Sequence, residues 1–299
     1  MSALTVELFC PAKVNLALSV GGPDPARGNL HPIASWMTTL RFGDALTLTR
    51  LDFGPSRFDI RFDDSPVPAV VDWPLEKDLS VRAHTLLSQT VGQSLPVALA
   101  LCKRIPPGAG LAGGSSNAAA TLVGINQLFN LRIDATNLRQ LAMKLGSDVV
   151  FLVDAIGGRT SAIVEGVGDS IEPIPMRGPV HLVLIFPPFG CPTGEVYRAF
   201  DEGGGLTRAV DARRVRHLAG GEAVNTGDLF NDLAEPACRV RPELERLRQQ
   251  LANALHAPIH VSGSGSTLFV LARDQADAQI IVRRVKEATG LPALATATC

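Results

Sequence analysis

The chain has 299 residues, of which 46% are hydrophobic and 19% charged, with a formal net charge of −1. That is enough for one large or two ordinary domains with a true core, and a balanced charge without a basic run points away from nucleic acid. Cys10, Cys102, Cys191, Cys238 and Cys299 are scattered, odd in number and never paired as C-x-x-C, so neither a disulfide framework nor a zinc site is suggested. Met1–Cys10 lacks the charged start and apolar run of a signal peptide, and no apolar stretch nears the roughly 20 residues of a membrane span. The expectation is a soluble cytoplasmic protein acting on a small molecule, with neither membrane nor nucleic acid as partner.

Leu4 to Val20 reads as a strand, because Val6, Leu8, Val14, Leu16, Leu18 and Val20 alternate. Pro11 marks a bend or edge within it. Lys13 and Asn15 are two apart and share one face, so this polar pair is either a site or part of a solvated edge. Residues 21–32 are turn formers and put His31 on a loop, where a lone histidine is ordinarily a surface residue. Leu46–Thr49 and Phe58–Phe62 are strand-like runs broken by Gly43-Asp44 and Gly54-Pro55. Asp78 then precedes a helical run to Thr90, and Leu95–Cys102 is a strand leading through Lys103-Arg104.

The most distinctive stretch follows: Pro106-Pro107-Gly108-Ala109-Gly110-Leu111-Ala112-Gly113-Gly114-Ser115-Ser116, running straight into a helical pattern. Small side chains let backbone N–H groups approach an anion, and a helix start adds unpaired donors and the positive end of its dipole. The bland alternative is a glycine-rich turn capped by Ser115 or Ser116. Gly108, Gly110 and Gly113 satisfy G-x-G-x-x-G, yet the helix 115–129 is followed by a second helical stretch, 134–145, where a dinucleotide fold needs a strand. A P-loop is excluded because Gly114 stands where its lysine belongs.

Ala118, Leu122, Ile125 and Phe129 give the first of these helices one buried face, and Leu138, Leu141, Ala142 and Leu145 do so for the second. Gly146 is expected to end that second helix as a left-handed cap. Asp148, just before the apolar run Val149–Val153, is then either a plain helix N-cap or a functional acid. Gly157-Gly158 is the expected boundary between residues 1–158 and 159–299. In the second part, Arg159–Glu165 and His181–Phe186 read as strands. After them come a helix Pro242–Leu255, a strand Ile259–Val261, a turn Gly263-Ser264-Gly265-Ser266, a strand Thr267–Leu271, a helix from about Gln275 to Gly290 and a strand Leu291–Thr298. Strand–helix–strand twice over is the split βαβ pattern. The Ser262–Ser266 turn is either a simple hairpin connection or a wall of the site.

Taken together, Pro11–Leu16 with Lys13 and Asn15, the 106–116 segment, Gly146-Ser147-Asp148-Val149, Gly166-Val167-Gly168-Asp169, Asn231-Asp232-Leu233 and Ser262–Ser266 resemble the GHMP kinase superfamily. The resemblance holds in order and approximate spacing across nearly the whole chain. It implies an α+β, two-domain GHMP-kinase-like fold, with an N-terminal nucleotide-binding α/β domain and a C-terminal, substrate-side, ferredoxin-like split βαβ domain. It also implies phosphorylation of a small-molecule alcohol by ATP, bound through Pro106, Gly108, Gly110, Gly113, Gly114, Ser115 and Ser116. Asp148 would be the general base with Lys13 as its partner, and Asn15, His31 and Asp148 would bind the alcohol. Mg2+ would bridge the phosphates with few direct protein contacts. These roles suit the chemistry: an alcohol is a poor nucleophile that needs a proton acceptor, and a lysine keeps that acceptor ionised.

Three positions depart from the pattern. Leu30 stands where relatives usually carry a tyrosine that stacks on a base, leaving Phe189 and Tyr197 as the rings available instead. Val150 replaces a common proline, and Ser147 a common alanine. The competing readings are another small-molecule kinase of the same superfamily, a nicotinamide-dependent oxidoreductase and a non-catalytic nucleotide-binding protein. The helix–helix order disfavours the oxidoreductase, and retention of Lys13 and Asp148 disfavours the non-catalytic protein.

Overall fold

The computed structural model describes residues 4–299, so the beginning of the Met1–Cys10 stretch lies outside it. The chain forms two compact units that interleave in sequence. One takes the residues up to Ala12 together with Phe42–Pro106 and Ala112–Thr160; the other takes Lys13–Arg41, Pro107–Leu111 and Ser161–Cys299.

Two long strands, β1 (Thr5–Val20) and β2 (Ile33–Arg50), contribute residues to both units. In the first unit, β4 (Val97–Lys103) lies between β3 (Arg57–Phe62), parallel to it, and the end of β2, antiparallel, so that Leu101 faces Ile60 on one side and Leu46 on the other. Four helices accompany these strands: α1 (Leu79–Val91), α2 (Gly113–Leu128), α3 (Ala135–Met143) and α4 (Ser147–Ile156). Asp78 caps α1 by accepting the Ser80 N–H, and Gly92 ends it at φ 68°, as the sequence signals require. Asp134 caps α3 through the Asn137 N–H.

The central helix is α2, which contacts α1, α3 and α4. Its residues are buried from Ser116 to Leu122 without interruption, so it is enclosed on all sides rather than on the single face the apolar spacing suggested. Ala118, Ala119, Ala120 and Gly124 make this possible: a Cβ on Gly124 would lie 2.6 Å from Leu48 Cδ1 and 2.8 Å from Leu8 Cδ1.

Local expectations fail at three points. Gly43-Asp44 does not break the strand; β2 runs through both residues, Gly43 because a Cβ there would strike the Cys10 carbonyl, and Asp44 because its buried carboxylate is fully used. Gly146 is no left-handed cap, since α3 ends on a right-handed Lys144 and Gly146 (φ 155°, ψ 154°) is the N-cap of α4. Asp148 therefore lies in the first turn of α4, not at its cap, and the apolar run Val149–Val153 is helical.

In the second unit β2 also pairs with β5 (Ser161–Gly166), and β5 with β6 (Ser170–Pro173). The chain continues through β7 (His181–Ile185), α5 (Thr193–Glu202), α6 (Ala212–Ala219), β8 (Phe230–Asn231), α7 (Ala234–Val240), α8 (Pro242–Leu255), β9 (His260–Val261), β10 (Leu268–Ala272), α9 (Gln275–Thr289) and β11 (Ala293–Ala297). Parallel pairing of β8 with β1 is confined to Ala17 and Leu18, beyond Pro11, which therefore interrupts none of it. Strands β7, β9, β10 and β11 form an antiparallel sheet in the order β11-β7-β10-β9, with α8 packed on α9. This is the split βαβ arrangement, closed over a core that includes Val183, Phe200, Leu244, Val261, Leu268 and Val285. No helix among the described residues is long and apolar enough to cross a membrane.

Candidate functional site

In the second unit, three separate stretches converge on Lys13 and Asn15. Strand alternation puts the two side chains on one face, and both are buried, which removes the solvated-edge reading. Lys13 Nζ donates to Asn15 Oδ1 at 2.8 Å, while Asn15 Nδ2 donates to Ser35 Oγ at 2.7 Å and that hydroxyl donates to the Ala17 carbonyl at 2.8 Å. The chain of donors fixes the asparagine amide and holds the ammonium in place.

The glycine segment arrives from one side. Leu111 accepts the Lys13 N–H at 3.1 Å, Ala109 accepts the Thr267 N–H at 3.2 Å, and Gly110 accepts Ser262 Oγ at 3.1 Å. Gly110 (φ 74°) has no room for a side chain: a Cβ would collide with the Ser262 carbonyl and lie 2.8 Å from that of Gly265. Gly263 (φ 54°) is less confined, since its Cβ would stand 3.1 Å from the Gly110 carbonyl, 3.3 Å from Lys13 Nζ and 3.5 Å from Asn15 Oδ1. Asn231 Nδ2 ties the same turn down by donating to the Gly263 carbonyl at 2.7 Å and the Val261 carbonyl at 2.9 Å. Ser262–Ser266 connects the antiparallel strands β9 and β10 as a hairpin and is at the same time a buried turn beside Lys13.

His31 is not a surface residue. Its Nε2 lies 2.9 Å from Asp201 Oδ1, and its ring packs 4.8 Å from that of Tyr197 and 6.0 Å from that of Phe200. Both rings nominated from sequence, Phe189 and Tyr197, pack on the core of this unit, and Tyr197 also lies beside His31.

The first unit supplies the remaining candidates. Helix α2 starts at Gly113, after Ala112 in the left-handed region (φ 58°), and its first intrahelical bond is Ser116 N–H to the Ala112 carbonyl at 2.9 Å. The N–H groups of Gly113, Gly114 and Ser115 precede that bond, and no acidic side chain occupies the first turn. Neither serine caps the helix. Ser116 Oγ is buried and has no partner among the described residues, which leaves a hydroxyl for a ligand. Gly113 must be glycine because its Cβ would lie 2.9 Å from Ile105 Cβ. Pro106 precedes these residues on the same unit, and Asp148, half-buried in the first turn of α4, follows them on it.

Sequence reasoning missed a buried polar cluster in this unit. Asp44 Oδ1 accepts the Arg104 and Ile105 N–H groups at 2.7 and 2.8 Å, and its Oδ2 accepts Asn117 Nδ2 at 2.8 Å. Lys103 Nζ donates to Asn117 Oδ1 and stands 3.9 Å from Asp44 Oδ2. Burial, reinforced by the Asp44 charge, pushes the nearby Cys10 thiol up to about 12, so it stays protonated. The available signal was an aspartate inside the apolar run Leu40–Leu48, which reads equally well as a turn.

A glycine segment leading into an uncapped helix start, and a buried lysine beside a glycine turn, are features that suit phosphoryl-transfer chemistry. The chain belongs to the GHMP kinases: models of the N-terminal and C-terminal GHMP kinase domains match residues 78–155 and 208–290. It is a small-molecule kinase with ATP as phosphoryl donor. The 4-diphosphocytidyl-2-C-methyl-D-erythritol kinase of Moorella thermoacetica is 35% identical over 96% of both chains, and that of Symbiobacterium thermophilum 34% identical over 94% of this chain and 95% of its own. A crystal structure of 4-(cytidine 5'-diphospho)-2C-methyl-D-erythritol kinase superposes with a TM-score of 0.74 at 32% identity, covering 98% of this chain and 99% of that one.

Proposed function

We propose that the protein transfers the γ-phosphoryl of ATP to the 2-hydroxyl of 4-diphosphocytidyl-2-C-methyl-D-erythritol, a step of non-mevalonate isoprenoid precursor synthesis. The full-length similarity to kinases of that name supports the substrate. The observation that carries the chemistry is Lys13, buried, donating to Asn15 and lying beside Gly263.

In this reading Pro106, Gly108, Gly110, Gly113 and Gly114 bring backbone to the phosphates, and Ser115 and Ser116 add helix-start donors. Asp148 accepts the hydroxyl proton, and Lys13 stabilises charge on the transferring group. Asn15 and His31 bind the alcohol substrate, with Tyr197 supplying the ring that Leu30 does not. The buried Ser116 hydroxyl is the oxygen donor of the segment that would help to hold magnesium, which would supply charge neutralisation at the phosphates. All five cysteines are free, which suits the reducing cytoplasm we propose as its compartment.

The test is Asp148→Asn. ATP binding, read as a thermal shift, is retained, while turnover falls by about 10²-fold or more, the usual loss for a positioned base. Near-parental turnover would leave Asp148 as a helix-start charge and nothing else.

A further inference from the structure

We infer that Asp44 is a positioning residue for the nucleotide, its single carboxylate holding both ends of the 106–116 segment in register. The inference rests on the proposed assignment of that segment to ATP.

Pro106 and Pro107 have no backbone N–H, so Arg104 and Ile105 supply the last two main-chain donors before the glycines. Both go to Asp44 Oδ1. At the other end, Asn117 follows Ser116 directly, and its side chain goes to Asp44 Oδ2. One fully buried group thus grips the chain immediately before and immediately after a stretch whose own residues include Gly108 (φ 66°) and Gly110 (φ 74°).

Lys103 completes the clamp by donating to Asn117 Oδ1, which fixes the amide with its Nδ2 toward the carboxylate. The close seat of Gly113 on Ile105 means that movement of the Arg104-Ile105 end displaces the start of α2 as well. A buried carboxylate is not needed to stabilise such a site, because apolar side chains of similar volume commonly do so at least as well. What the carboxylate adds is direction: all four of its recorded partners belong to the two flanks of one loop. Cys10, kept protonated, leaves Asp44 and Lys103 as the opposite charges of the cluster.

The experiment compares Asp44→Asn with the reciprocal double variant Asp44→Asn/Asn117→Asp. In the single variant the new amide still accepts the two backbone N–H groups but turns a donor toward the Asn117 donor. The expected result is a KM for ATP raised about tenfold, with kcat and the KM for the alcohol within about twofold, in protein shown to be folded at the assay temperature. The double variant restores a donor facing an acceptor and gives Lys103 a carboxylate; it returns the KM for ATP to within about threefold of the parent.

A folded single variant with an unchanged KM for ATP would overturn the inference, reducing Asp44 to scaffold. So would a double variant no better than the single. If the single variant does not fold, the double must fold and bind ATP near the parental KM, and its failure counts against the clamp. Gly113→Val is the control for the underlying assignment: unchanged ATP affinity there would remove the segment from the nucleotide site, an outcome distinct from any result at Asp44.

Discussion

The lone tyrosine illustrates how much of the site is decided by single side chains. Tyr197 lies on α5, a helix without a strong sequence signal, yet its ring is 4.8 Å from His31, which Asp201 in turn anchors. If this ring takes the stacking role that Leu30 cannot fill, Tyr197→Ala raises the KM for the cytidylyl substrate about tenfold, because stacking a base on an aromatic contributes roughly 1–3 kcal/mol. The KM for ATP should move by less than about twofold, and steady-state kinetics with each substrate varied in turn would reveal the split. Equal effects on both constants would assign the ring to general packing. Lys13, Asn15 and Asp148 were legible as residues, since polar groups in apolar runs stand out. Their settings were not: the partner of Asn15 is Ser35, twenty positions on, and Asp44 reads as a turn residue until its acceptors are seen.

At the scale of elements, strong local chemistry was readable and tertiary override was not. Helix α8 runs from Pro242 to Leu255, as its proline start and amphipathic spacing indicate. By contrast β2 continues through Gly43-Asp44, because packing on Cys10 and burial of the carboxylate outweigh the turn preference of those residues. The short helices α5, α6 and α7 escaped notice; α6 carries Arg213, Arg214 and Arg216 in a single eight-residue helix, which hides its apolar face of Val215 and Ala219. The enclosure of α2 gives a direct test at this scale. Gly124→Val forces a branched side chain against Leu48 and Leu8, and overpacking of this kind costs about 1–3 kcal/mol. Denaturant unfolding should show a lowered midpoint with an unchanged slope, and an unchanged midpoint would mean that the neighbouring leucines yield without strain.

Across the molecule, the interleaving of the two units could not be read from composition, because strands of 16 and 18 residues carry the chain from one to the other without a linker. Global stability should also report one buried base. Burial, and after it the Arg248 guanidinium, lower the His260 imidazole to about 4, against a hydrogen bond to Thr226 that favours the charged form. The unfolded chain binds this proton near pH 6.5, so between about 4 and 6.5 the unfolded state holds more protons and stability rises with pH. The contribution is complete above that window and is lost as the pH falls through it. Melting temperatures at about pH 7.5 and 5 should differ more for the parent than for His260→Gln, and equal differences would show that His260 already charges in the folded state.

The account's central claim concerns what is phosphorylated. The direct measurement is ATP-dependent phosphoryl transfer in parallel to 4-diphosphocytidyl-2-C-methyl-D-erythritol, mevalonate, homoserine and galactose, with the product of the first identified by the position of its new phosphate. The prediction is a kcat/KM for the cytidylyl alcohol at least about 10²-fold above the other three, with phosphate on the 2-hydroxyl. Preference for any of the other alcohols would contradict the substrate while leaving a GHMP kinase, and transfer to none of them would contradict the proposal itself.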